Sequence, residues 1–72
     1  SACENEVNKK FSGKLVHKHI VDLSTRYDDY VEYFVVVVYA HLGSREDYSE
    51  VKIYCHVDPK TYALSYFKDY PA

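Results

Sequence analysis

The chain has 72 residues, nine Lys and Arg against eleven Asp and Glu, and a formal net charge of −2. With 47% hydrophobic and 28% charged residues it has a globular balance, not the low hydrophobicity and high charge of disorder. No basic tail or basic helix supplies the positive patch that nucleic-acid binding relies on, and the longest apolar run, Tyr33–Ala40, is far short of the roughly 20 residues of a spanning helix. These features argue against nucleic acid as partner and against a membrane span. One small domain is expected, and a core of this size rarely supplies more than about 3–5 kcal/mol without a staple.

Ser1 to Gly13 is polar apart from Cys3, Val7 and Phe11. That i, i+4, i+8 spacing falls near one face of a helix. Asn5 and Asn8 weaken the helix and Gly13 can end it. Lys14 to Leu23 reads as a first strand, with Leu15, His17, His19, Val21 and Leu23 on one face and Val16, Lys18, Ile20 and Asp22 on the other. Neither face is cleanly apolar, as suits a strand near an edge. Ser24 to Asp29 is polar and turn-like.

Asp29 to Leu42 contains four consecutive Val flanked by Phe34 and Tyr39, the strongest strand signal in the chain. Val31, Tyr33, Val35, Val37 and Tyr39 share one face, and Phe34, Val36, Val38 and Ala40 the other. Both faces are apolar through the middle, so this strand needs cover on two sides. Gly43 to Tyr48 reads as a polar loop. Ser49 to Val57 alternates: Val51, Ile53, Cys55 and Val57 face a core, while Glu50, Lys52, Tyr54 and His56 face away. Asp58-Pro59-Lys60 is a tight turn with Pro suited to its second position. Thr61 to Tyr70 reads as the last strand, with Tyr62, Leu64 and Tyr66 on one face and Ala63, Ser65 and Phe67 on the other.

Short connections favour sequential antiparallel pairing. The expected fold is mostly β, with α+β the variant if the N-terminal helix forms. It is a single domain over residues 1–72 holding an antiparallel sheet of about four to six strands, either a meander or a compact sandwich. If no second sheet covers the valine strand, a second copy of the chain is the remaining cover, which makes a homodimer one of the partner readings.

Cys3 and Cys55 are the only cysteines. An even count in a short chain fits one disulfide, an oxidising setting and a secreted protein, and the loop it would close stabilises the fold by about 4 kcal/mol in the chain-entropy model. The opening Ser1-Ala2-Cys3 suits a chain released from a signal peptide. It also resembles the small-residue end of a bacterial lipoprotein signal, which implies a lipid on Cys3 and a cell-envelope role instead.

The nine Tyr and absence of Trp matter because Tyr serves both half-buried strands and recognition surfaces. Tyr54 and His56 lie opposite the core face of their strand, with Lys52 nearby, and Tyr62 and Tyr66 join them if the last strand pairs alongside. These five residues form a candidate protein-binding patch, with an edge strand that adds a partner's strand as the second option. His17 and His19 with His41 or His56 supply imidazoles for zinc, but a third ligand at motif spacing is missing, so no metal is expected. The same histidines with Glu32 or Glu50 would suit a small acid–base nuclease. No phosphate-cradling Gly-rich loop accompanies them, and a Cys55–His56 nucleophile fails because neighbours on a strand point to opposite faces. No cofactor and no enzymatic activity are expected.

The helix-then-meander order resembles the cystatin-like architecture, although the Gln-x-Val-x-Gly inhibitory motif is absent, so protease inhibition does not carry over. Small size and the single pair Cys3 and Cys55 also resemble the small β-sandwich effectors of plant-pathogenic fungi, which implies a sandwich with an early segment tied to a later strand. The leading expectation is a secreted protein-binding module of effector or inhibitor type. The cell-envelope domain is second and the nuclease-like enzyme third.

Overall fold

A computed structural model describes all 72 residues as one helix followed by four strands: α1 Ala2–Lys10, β1 Leu15–Asp28, β2 Val31–Gly43, β3 Tyr48–Val57 and β4 Leu64–Pro71. The strands form a single antiparallel sheet in the order β1-β2-β3-β4. It is the meander, not the sandwich: no second sheet forms. No helix is long and apolar enough to cross a membrane.

The helix forms because its ends are satisfied. Ser1 caps it, its hydroxyl accepting from the Glu4 N–H at 3.2 Å. Glu4 sits in the first turn and Lys9 and Lys10 in the last, each on the favourable side of the helix dipole. The Phe11 N–H closes the last turn on Val7 O. Gly13, at φ +88°, then takes the left-handed step that sends the chain into β1. Cys3, Val7 and Phe11, the apolar line expected from the sequence, are all buried against the sheet.

That line meets Val36, Val38, Ala40, Ile53, Cys55 and Val57 to make the core, with Leu15, Phe34, Leu42, Val51, Leu64 and Phe67 packed around it. Cys3 and Cys55 are joined, with Cα atoms 5.8 Å apart at a sequence separation of 52. The bond pins the helix to β3 near its C-terminal end and takes up the Cys3 sulfur that a lipid anchor would need. Two ion pairs at the surface flank it, Lys10 Nζ to Asp69 Oδ1 at 3.1 Å and the half-buried Lys18 Nζ to Glu4 Oε2 at 3.8 Å; surface pairs of this kind contribute little individually.

Two expectations, the faces of β1 and of β4, fail for a common reason, the β-bulge. In β1 the register slips between Leu15 and His17 and again between Ile20 and Asp22. The single alternation expected over Leu15–Leu23 is therefore cut twice. Lys18, Ile20 and Leu23 pair with Ala40, Val38 and Val36 on the helix side, whereas His17, His19 and Asp22 pair with His41, Tyr39 and Val37 on the other. In β4 the slip falls between Tyr66, opposite His56, and Leu64, opposite Val57. Leu64 joins the core and Tyr66 does not, although both are even-numbered. An extra residue in one strand of a pair reverses all the faces beyond it.

The stretch Ser24–Asp28 is strand, not turn. β1 and β2 run on as a hairpin arm to the pair Asp28–Val31, while β3 pairs with β2 only from Phe34 onward. Beyond that point no third strand and no helix exist to demand apolar residues, so a polar sequence can extend as strand. The turn itself is Asp29-Tyr30, with φ of 51° and 67°, the left-handed pair that a two-residue hairpin requires. At the other end, Gly43 has φ +129° and a Cβ there would sit 2.5 Å from Asp47 O, so the β2–β3 turn admits only glycine.

Candidate functional site

The two faces of the sheet differ in kind. The helix covers one. The other carries all four histidines, His17, His19, His41 and His56, and six of the nine tyrosines, Tyr33, Tyr39, Tyr48, Tyr54, Tyr66 and Tyr70. Val35 and Val37 sit at its centre and are nonetheless only 8% and 4% exposed. Val35 lies between Ser24 and His56, and Val37 between Asp22 and Tyr54. On the β3 side these neighbours are large, His56 and Tyr54, and the two valines are covered with no second sheet.

The rings on this face are ordered in contacts that run across the strands. His56 lies between Tyr33 and Tyr66, with ring centroids 4.7 and 4.6 Å away. Tyr54 meets Tyr70 edge-on at 5.6 Å, a favoured aromatic geometry. The Tyr66 and Tyr70 hydroxyls are 3.2 Å apart. This bond, then partial desolvation and the neighbouring Tyr70, raise the Tyr66 hydroxyl above the ordinary tyrosine value, against the opposing charge of Lys68. Lys52 extends its ammonium between the rings of Tyr39 and Tyr54, 5.6 and 5.4 Å from their centroids. It is held above the ordinary lysine value chiefly through the Tyr54 hydroxyl and then through Tyr39. Lys68 stands over Tyr70 at 5.3 Å.

Lys52, Tyr54, His56, Tyr66 and Tyr70 line an open groove of about 670 Å3 between β3 and β4. Four of these were the residues expected from the sequence. Tyr70 was not singled out; its same-face relation to Tyr66 at i, i+4 on a strand was the available signal. Tyr62 is not in the groove. It lies in the turn before β4 with φ +61°, its N–H bonded to Asp58 O at 2.8 Å, and its ring is 67% exposed. The turn is fastened by Asp58, whose Oδ1 accepts from the Lys60 and Thr61 N–H groups at 2.8 and 3.0 Å. These bonds, Thr61 first and Lys60 next, lower the Asp58 carboxyl below its ordinary value.

No family model, curated protein or solved structure matches the chain. The helix-then-meander order is the one formed, and the sandwich implied by the effector likeness is not.

The residues proposed for acid–base chemistry are only partly assembled. His41 Nε2 is 3.5 Å from Glu50 Oε1, and the His41 ring stacks on Tyr48 with centroids 4.2 Å apart. His17 lies beside His41 at 5.5 Å. Glu32 is paired opposite Tyr27 on the hairpin arm and on the other side of the sheet, away from every histidine. His56 belongs to the groove and not to this cluster.

Proposed function

We propose that the chain is a secreted, disulfide-stapled module that binds a protein partner through the uncovered face of its sheet. The observation that carries this reading is the groove of Lys52, Tyr54, His56, Tyr66 and Tyr70. Its walls are aromatic rings already packed against one another, so little side-chain freedom remains to be lost on binding. Tyrosine is among the residues that binding hot spots favour, and three line this groove. The Cys3–Cys55 bond supports the secreted setting, because disulfides persist in oxidising compartments.

The binding role is preferred to a catalytic one because the groove holds rings and a cation but no carboxylate. Affinity capture with the wild-type chain, Tyr54→Ala, Tyr66→Ala and Tyr62→Ala tests it. A genuine partner is retained by Tyr62→Ala, which alters only the turn, and is weakened about tenfold or more by each groove substitution, the size of a hot-spot loss. A partner retained equally by all three variants moves the interface away from this face and makes the free edge of β1 the next candidate.

A further inference from the structure

The outer strand carries a second cluster that the groove does not use. We propose that His17 and His19 form a chelating site for a divalent transition-metal ion of the zinc class. His17 Nε2 and His19 Nδ1 lie 3.2 Å apart. Two nitrogens bound to one tetrahedral zinc at about 2.0–2.1 Å stand about 3.3–3.4 Å from each other, so the separation already matches to a few tenths of an ångström, and a modest rotation of the exposed rings turns both nitrogens from each other toward the ion.

The backbone sets this up. The two β1 bulges fall on either side of the segment His17–Ile20, which is left as regular strand, so the i and i+2 rings share a face. Each ring is braced from β2, His17 by His41 at 5.5 Å and His19 by the edge of Tyr39 at 6.0 Å. Both histidines are exposed, so an ion reaches them without any opening of the fold. Lys18 turns to the other side of the sheet, where it pairs with Glu4, and places no cation beside them.

In the metal-free pair one ring nitrogen donates to the other. Binding moves that proton to the outward nitrogen of its own ring, the alternative neutral tautomer, and both inward lone pairs then face the ion. Imidazole donors select zinc-like ions over magnesium and calcium, which require oxygen. No group of three His, Cys, Asp or Glu side chains is placed to share an ion, and His41 is engaged with Glu50 and Tyr48. The site is therefore open, with its remaining positions left to water or to a donor from a bound molecule.

The proposal stands independently of the groove. Titration of the full chain with zinc chloride, followed by calorimetry and by the ring resonances of the four histidines, tests it. One zinc per chain is expected, with shifts centred on His17 and His19. His17→Gln and His19→Gln should each weaken binding by about tenfold or more, while His56→Gln stays within about twofold, the variants melting like the wild type. Magnesium chloride should shift neither ring. The proposal is overturned if zinc gives no saturable signal, or if the shifts centre on other residues. Affinity kept by both β1 variants would also overturn it, as the mark of an adventitious ion only.

Discussion

Cys55 and His56 are neighbours in sequence with opposite surroundings. Cys55 points into a dry layer of Val7, Phe11, Val36, Val38, Ala40, Ile53 and Val57 in which nothing polar is buried. His56 points into a layer of Tyr, His and Lys whose polar tips remain in contact with water. One face is sealed by a helix that a disulfide fastens; the other covers its own valines with amphipathic rings. One strand of alternating residues thus serves two different surroundings: substitutions at odd positions of β3 act on the core, and those at even positions act on the open face, which on the proposed reading is the surface offered to a partner.

The largest expected effect falls on the sealed side. Replacing Cys3 and Cys55 together by Ala should cost about 4 kcal/mol by the chain-entropy model, comparable to the whole stability of a domain this small. Urea denaturation followed by circular dichroism checks this. A double variant as stable as the wild type would mean that the packing of Val7 and Phe11 holds the helix by itself. Ile53→Ala comes next. Ile53 is fully buried, and losing it should cost about 2–5 kcal/mol, measured in the same way.

Much of the sealed face could be read in advance. The i, i+4, i+8 line of Cys3, Val7 and Phe11 and the alternation of Val51, Ile53, Cys55 and Val57 are regular patterns with one dominant cause, burial. The open face was less legible. Lys52, Tyr54, His56 and Tyr66 were identifiable, but Tyr62 was misplaced because β4 begins only at Leu64 and Tyr62 belongs to the left-handed turn before it, and the β4 bulge is not encoded in any alternation of polar and apolar residues. The β1 faces were misassigned for the same reason. The hairpin arm was hidden differently: with no layer above or below it, Arg26–Asp28 carries no burial pattern to read.

A third prediction concerns that arm. Tyr30 is held at φ +67° in the turn and is 98% exposed. A left-handed non-glycine residue costs about 1–2 kcal/mol, and glycine returns about 0.4–1 kcal/mol of that through its greater freedom when unfolded. Tyr30→Gly should therefore raise Tm by a few degrees, roughly 4 °C for a domain of this size, in a calorimetric scan. A fall in Tm would mean that the ring makes a stabilising contact at the tip.

The smallest effect is electrostatic and belongs to the β3–β4 turn. The folded Asp58 carboxyl lies below its unfolded value of 3.8. Its contribution to stability is complete above that value and is lost as pH falls through the folded one. The difference in urea midpoint between wild type and Asp58→Ala should thus be larger at pH 5 than in strong acid. An unchanged difference would mean that the Lys60 and Thr61 N–H groups gain nothing from the charge.

The separation of the two faces is tested most directly by the double variant Tyr54→Ala with Tyr66→Ala, titrated against the captured partner with the folded fraction verified by circular dichroism. The predicted result is a folded protein whose affinity falls by about a hundredfold or more, the product of two hot-spot losses of about tenfold each. Wild-type affinity in the folded double variant would contradict the assignment of recognition to the open face.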